Sequence, residues 1–132
     1  MEREGISYLI NFFERGINYM LESIFQSKLI DELEEMFPEC FVLKNDPDYL
    51  QGFPDLLILY NDKWAVLECK QNKNSRCQMN QKYYIAVLGE ISFARFIYPE
   101  NKEAVLYELQ QSFGSRRSTC ISKSKQIPLD KL

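Results

Sequence analysis

Two carboxylates and a lysine meet if two neighbouring runs of the chain form a hairpin. Residues 55–60 (Asp-Leu-Leu-Ile-Leu-Tyr) and 63–70 (Lys-Trp-Ala-Val-Leu-Glu-Cys-Lys) are strand-like and are separated by an Asn-Asp pair. Both turn residues tolerate the left-handed conformation that tight hairpins need. With this two-residue turn Asp55 lies opposite Glu68, and opposed residues have Cβ atoms roughly 5 Å apart.

Lys70 lies two residues beyond Glu68, so its side chain is expected on the same sheet face, and that of Cys69 on the other. Adjacent carboxylates repel each other, and a hard divalent cation between them would offset that repulsion. Mg²⁺ is usually held by one or two carboxylates with water and substrate phosphate. A neighbouring ammonium could orient or deprotonate water, or stabilise charge on the phosphate. The set predicts phosphodiester hydrolysis, although each fragment alone also fits a strand start or a surface ion pair.

The chain contains no histidine, which excludes Ser-His-Asp and Cys-His catalysis. Its cysteines form no Cys-x-x-Cys pair, so zinc modules of common spacing are not expected. We interpret the four cysteines, which are Cys40, Cys69, Cys77 and Cys120, as free thiols of a cytoplasmic protein.

No apolar run is long enough to cross a bilayer, and the N-terminus lacks the layout of a secretory signal. We therefore expect no membrane partner and no small-molecule cofactor.

Charge is unevenly distributed along the chain. The formal net charge of −3 argues against a general nucleic-acid binder. Basic residues are nevertheless concentrated beside the carboxylates and in residues 114–132, where they could bind a phosphate backbone. The side chains predicted to bind nucleic acid are Lys73, Arg76 and Lys82.

Hydrophobic periodicity predicts an α/β fold, with a mixed sheet of about four strands flanked by helices. We expect Gly16 to separate the first two helices, Asn18 to cap the second and Pro38 to stop it. The element order is α-α-β-β-β-α-β-α. In chain order the elements are predicted at 3–14, 18–37, 40–44, 55–60, 63–70, 77–89, 93–98 and from residue 99 through 113.

The 132 residues fit one domain. We assign residues 1–113 to it, with 1–17 as a helical extension and 18–113 as the core, and 114–132 as a flexible basic tail. The apolar residues of the extension could cover the core or form a dimer interface, and core packing is the expectation.

Pro54-Asp55, followed after a hairpin by Glu68-Cys69-Lys70, resembles the signature of the PD-(D/E)xK nuclease superfamily. The run Gly52-Phe-Pro-Asp-Leu and a downstream glutamine add similarity to its VRR-NUC branch, which includes small phage proteins. The resemblance covers roughly residues 20 to 110 and implies a restriction-endonuclease-like core. One departure is Cys69, where the family often has an aliphatic residue.

The resemblance implies a role for each matching position. Asp55 and Glu68 would bind Mg²⁺, for which Mn²⁺ could substitute, together with the backbone carbonyl of Cys69. Lys70 would be the catalytic lysine. Gln81 would lie beside the site.

Two positions within the resemblance remain open. Gln78 lies on the same helical face as Gln81 and is an alternative for the site glutamine. An acidic residue of the leading helix is also implied, and Glu22 fits best because it lies near the predicted helix start. Glu32 and Glu35 fit less well, since they lie near the helix end, where the dipole disfavours acids.

The activity implied is that of a DNA endonuclease acting on branched or structured DNA, such as a Holliday junction or a flap, with a homodimer as one arrangement. Two alternatives remain. One is a nuclease-fold module that binds DNA without catalysis. The other is a phage interaction protein that uses the acidic face of the second helix.

Overall fold

A computed structural model describes residues 2–114, so the predicted tail lies, apart from Gly114, outside the described residues. Three helices and a four-stranded mixed sheet form an α/β fold, which confirms the predicted class. The elements are α1 (Glu2–Met36), β1 (Phe41–Lys44), β2 (Leu56–Tyr60), β3 (Lys63–Cys69), α2 (Met79–Ile91), β4 (Phe93–Ile97) and α3 (Lys102–Gly114).

The sheet has the strand order β1-β2-β3-β4. The first three strands are antiparallel neighbours, and β4 pairs in parallel with β3. A parallel neighbour requires a crossover connection, and α2 supplies it. The β2–β3 register pairs Tyr60 with Lys63 and Leu56 with Leu67, which confirms the predicted two-residue turn.

The main core lies between one sheet face and the helices α1 and α3. Leu29 and Leu33 of α1 and Leu109 of α3 are buried against it. Full burial of each such side chain contributes roughly 1.5–3 kcal/mol. The strand residues that complete this core are Leu56, Ile58, Ala65, Leu67, Cys69, Phe93 and Ile97.

The first helix is continuous, contrary to the prediction. Gly16 does not interrupt α1 and Asn18 does not cap a second helix, because both lie inside a single helix of 35 residues. A helical glycine costs only about 1 kcal/mol relative to alanine, which the flanking hydrogen-bonded turns can absorb. The element order is therefore α-β-β-β-α-β-α.

The N-terminal half of α1 does not pack on the core, so that expectation was also wrong. Residues 3–21 are all exposed. The reason is length, since a helix of 35 residues is about 52 Å long, whereas a five-residue strand spans only about 17 Å. Half of α1 consequently extends past the sheet. None of the three helices described between residues 2 and 114 has an apolar stretch that could span a bilayer.

Candidate active site

The hairpin holds the two carboxylates against each other. Asp55 immediately precedes β2 and Glu68 is the penultimate residue of β3. The backbone N–H of Asp55 donates to Oε2 of Glu68 at 3.1 Å, and the N–H of Cys69 donates to Oδ2 of Asp55 at 2.9 Å. Each carboxylate is thus anchored by the backbone of the opposite strand.

Lys70 places its ammonium beside this pair, as its spacing from Glu68 predicts. Its backbone N–H donates to the carbonyl of Ile97 at 2.8 Å, which extends the parallel pairing by one residue. Its Nζ lies 3.8 Å from Oε1 of Glu68 and donates to the carbonyl of Arg76 at 3.2 Å. Because the Lys70 side chain is only 12% exposed, this charge is confined to the site.

Gln81, from the first turn of α2, connects the acid and the lysine. Its Nε2 donates to Oε1 of Glu68 at 2.8 Å, and its Oε1 accepts from Nζ of Lys70 at 2.7 Å. Gln78 is exposed at the start of α2, and its backbone N–H donates to Oε1 of Gln81 at 3.0 Å. The geometry therefore places Gln81, rather than the Gln78 side chain, between Glu68 and Lys70.

Among the candidate acids of α1, only Glu22 reaches the site. It lines a cavity of about 220 Å³ together with Asp55. The expectation that Glu22 begins its helix was wrong, because α1 begins at Glu2. Glu32 instead accepts from Nζ of Lys102 at 2.8 Å, and Glu35 is exposed near α3.

Burial raises the pKa of all three acids of the site. The pKa of Glu68 is raised to about 8, first by burial and then by the charge of Asp55. Burial is also the main cause that raises the pKa of Asp55 and of Glu22. The Lys70 ammonium lowers each pKa only in part. In all three acids burial thus outweighs the opposing effect of the Lys70 charge on the pKa.

The donor chemistry of the site fits a hard cation. Asp55 and Glu68 offer oxygen ligands, and the Asp55 charge raises the pKa of Glu68, a repulsion that a cation between them would relieve. Within residues 2–114 no group of three or more His, Cys, Asp or Glu side chains is arranged to hold a metal. The arrangement thus corresponds to a pair of carboxylate ligands that would need water and phosphate to complete the shell.

Cys69 turns its side chain into the core, as predicted. The thiol is fully buried, and burial raises its pKa. Among the described cysteines Cys40, Cys69 and Cys77 are free thiols, in agreement with the sequence, while Cys120 lies outside the described residues.

A second cavity, of about 440 Å³, adjoins Lys70 on the α2 side. Lys73 and Lys82 line it and are exposed. Arg76 is also exposed, and its carbonyl accepts the hydrogen bond from Lys70. Within residues 2–114 these three basic side chains make no ion pair with an acid. Two of the three residues predicted to bind nucleic acid, Lys73 and Lys82, therefore line one opening beside the site, and Arg76 contacts Lys70 through its backbone.

Sequence reasoning missed Tyr19, Lys44 and Asn45, which line the Glu22 cavity together with Asp55. The backbone N–H of Asn45 donates to the carbonyl of Asp55 at 2.8 Å, continuing the β1–β2 register. Only this register brings Asn45 and Lys44 to the site. The long loop between β1 and β2 contains no turn signal that determines the pairing, so the sequence offered no way to count across.

No protein-family model, no curated protein and no solved structure matches the chain. The α/β class therefore rests on the described elements, and the assignment of function rests on the site.

Proposed function

We propose that this protein is a magnesium-dependent DNA endonuclease with a restriction-endonuclease-like core, related to the VRR-NUC branch of the PD-(D/E)xK nucleases. The observation that carries the proposal is the chain of contacts from Asp55 through Glu68 and Gln81 to Lys70. It joins four residues of the motif in one partly buried cluster. A structural ion pair would need neither the second carboxylate nor the bridging amide.

Asp55 and Glu68 would hold Mg²⁺ or Mn²⁺. The resemblance adds the Cys69 carbonyl as a further oxygen donor, and Glu22, which lines the same cavity as Asp55, would be another. When bound, the ion supplies positive charge to the phosphate and lowers the pKa of water. The raised pKa of Glu68 means that cation binding must compete with a proton. Metal affinity should therefore increase with pH.

The protein's own groups would position and polarise the phosphodiester. The Lys70 ammonium can donate to a phosphate oxygen and stabilise the negative charge that develops during hydrolysis. Gln81 directs that ammonium through its 2.7 Å contact. Because Lys70 is largely withdrawn from solvent, its interaction with phosphate is stronger than that of a surface lysine.

The neighbouring basic side chains suggest how DNA is held. Lys73, Arg76 and Lys82 would bind phosphates flanking the scissile one. The preference for branched or structured DNA, such as a Holliday junction or flap, rests on the resemblance alone.

The decisive experiment incubates a labelled four-way junction, a flap and a linear duplex with Mg²⁺, Mn²⁺ or EDTA. Cleavage that needs metal and is lost in Glu68→Ala and Lys70→Ala, but retained in Lys102→Ala, supports the proposal. Lys102 is a suitable control because its ammonium pairs with Glu32, outside the site. Tight DNA binding without cleavage of any substrate would instead identify a binding module, and neither binding nor metal dependence would favour an interaction protein.

We also propose that a second copy of the chain covers the projecting half of α1. Six large apolar residues there follow the 4-3-4-3-4 spacing of a coiled coil and are 45 to 63% exposed. At 3.6 residues per turn they lie about half a turn from the core-facing Leu29 and Leu33. These residues, here called the apolar seam, are Ile6, Ile10, Phe13, Ile17, Met20 and Ile24.

The size of the apolar seam is suited to a dimer. Six half-exposed large apolar side chains extend over about 27 Å of helix at 1.5 Å per residue, and together they form a continuous strip of the kind that a second helix covers in a coiled coil. Because the apolar seam points away from the sheet, pairing through it leaves the cavity at Glu22 and Asp55 open. Each copy would keep its own site.

A further inference from the structure

A second row of side chains on α1 leads out of the candidate active site. Residues three and four apart share a helical face, and this row has the spacing 4-3-4. Continuing it by the same spacing reaches Glu22 and then Gln26, which line the cavity with Asp55. The row, here called the aromatic stripe, consists of Tyr8, Phe12, Arg15 and Tyr19.

The aromatic stripe is open to solvent from the cavity outward. Its three rings are 67 to 78% exposed, and Tyr19 itself lines the Glu22 cavity. Arg15 is exposed and makes no ion pair within residues 2–114. A ligand whose reacting end lies at Asp55 would therefore meet Tyr19 first.

The chemistry of the aromatic stripe differs from that of the apolar seam, which lies about 150° away around the helix. The apolar seam is mostly aliphatic and suits packing against another helix. Exposed rings with an interleaved guanidinium suit nucleobases, because bases stack on aromatic side chains and arginine adds cation–π and phosphate contacts. The two faces can thus be occupied at the same time by different partners.

The spacing favours a single strand over a duplex. From Tyr19 to Tyr8 the helix rises about 17 Å, in steps of about 5 Å between neighbouring members. Stacked nucleotides advance only about 3.4 Å per phosphate along one strand, so bases lying on successive rings must be splayed apart. The bases of an intact duplex are paired inside and cannot reach these rings.

We propose that the aromatic stripe binds single-stranded DNA adjoining the phosphodiester that is cleaved. The inference rests on the proposed function for its choice of DNA. It deepens that function by naming a substrate with an unpaired strand at the cleavage point, and by assigning Tyr8, Phe12, Arg15 and Tyr19 to that strand.

The test measures binding in EDTA by fluorescence anisotropy, with a blunt labelled duplex and the same duplex carrying a ten-nucleotide overhang. We expect the full-length protein to prefer the overhang. Phe12→Ala should weaken overhang binding about fivefold or more, the loss of stacking on one base, and leave the blunt duplex unchanged. Tyr19→Ala should act likewise, and Tyr19→Trp should retain affinity because indole also stacks.

Phe13→Ala is the matched control, because Phe13 is the same residue type one position along and belongs to the apolar seam. Its ring centroid is 6.1 Å from that of Phe12. It should keep the overhang preference, with helix content confirmed by circular dichroism for both variants. The inference would be overturned if Phe12→Ala and Phe13→Ala weakened overhang binding equally, or if Phe12→Ala weakened binding of both DNAs equally. It would also be overturned if Phe12→Ala changed only dimerisation. Since binding is read without metal, absence of cleavage would count against the nuclease and not against the aromatic stripe.

Discussion

Nε2 of Gln81 lies 2.8 Å from Oε1 of Glu68, and the other end of the same amide accepts a hydrogen bond from Lys70. A primary amide can donate to a carboxylate through its nitrogen and accept from an ammonium through its oxygen at once. Gln81 therefore aligns an acid on β3 with a lysine beyond its end and adds no charge of its own. It is a positioning residue for both.

Loss of this amide should impair cleavage more than folding. Gln81→Ala is expected to lower the single-turnover cleavage rate about 10- to 100-fold, the usual effect of removing a group that orients a metal ligand. Gln110→Ala is the control, because the Gln110 side chain is of the same type and is exposed on α3, away from the site. Equal rates for the two variants would contradict the role assigned to Gln81.

The raised pKa of Glu68 predicts how stability depends on pH without metal. The folded protein holds a proton on Glu68 up to about pH 8, whereas the unfolded chain releases it near the ordinary value of 4.5. The folded state therefore binds more protons between these values, and the free energy of unfolding falls as pH rises through this window. The slope is at most about 1.4 kcal/mol per pH unit for one group.

Glu68→Gln should remove most of that slope, because its amide does not ionise, and leave the smaller contribution of Asp55, whose pKa is also raised. The slope is measured as the free energy of unfolding by urea, in EDTA, at several pH values between about 5 and 8. Glu108→Gln, in an exposed pair with Arg95, serves as the control and should retain the slope. A Glu68→Gln protein with the full slope would show that another group is responsible.

The structure separates two glutamates of α1 that the sequence left as alternatives. Glu22→Gln should lower cleavage about tenfold or more and weaken magnesium binding, because its carboxylate shares a cavity with Asp55. Glu32→Gln should leave cleavage unchanged and cost less than about 1 kcal/mol, the usual contribution of a partly exposed ion pair such as that with Lys102. Isothermal titration with Mg²⁺ distinguishes them, and the reverse ranking would refute this placement.

Gly52 is required by geometry where Gly16 is not. Gly52 has a φ of +86°, and a Cβ there would overlap the side chain of Asn80, whose Oδ1 accepts from the Gln81 N–H. Gly52→Ala should cost about 1–2 kcal/mol from the left-handed backbone and lower activity by displacing α2. Gly16→Ala has open space and should gain about 0.5–1 kcal/mol. Thermal unfolding checks both, and a stable, active Gly52→Ala protein would contradict this reading.

Dimerisation through the apolar seam predicts that a charge within it releases monomers. Ile17→Glu should weaken self-association at least about tenfold, because a carboxylate would be buried without a partner. Asn11→Glu, on another face of the same helix, should not. Sedimentation velocity over a dilution series reports the difference. A wild-type monomer throughout, or a dimer indifferent to Ile17→Glu, would exclude this interface.

The sequence by itself determined the parts of the site that depend on local geometry. A two-residue turn sets the hairpin register, so the placement of Asp55 against Glu68 followed from counting outward, and strand alternation put Lys70 beside them. The α/β class followed similarly, because hydrophobic periodicity reflects which face of an element is buried.

Only the tertiary structure decided which distant residues join that hairpin. Gln78 precedes α2 with an extended backbone, whereas Gln81 lies in the first turn of α2, and this difference selects Gln81. The helix α1 continues through Gly16 because the hydrogen bonds of the whole helix outweigh the small free-energy cost of one helical glycine. The long β1–β2 connection left Lys44 and Asn45 unassigned, because a loop without a turn signal does not determine register. These outcomes depend on packing between elements far apart in the chain, which local spacing does not encode.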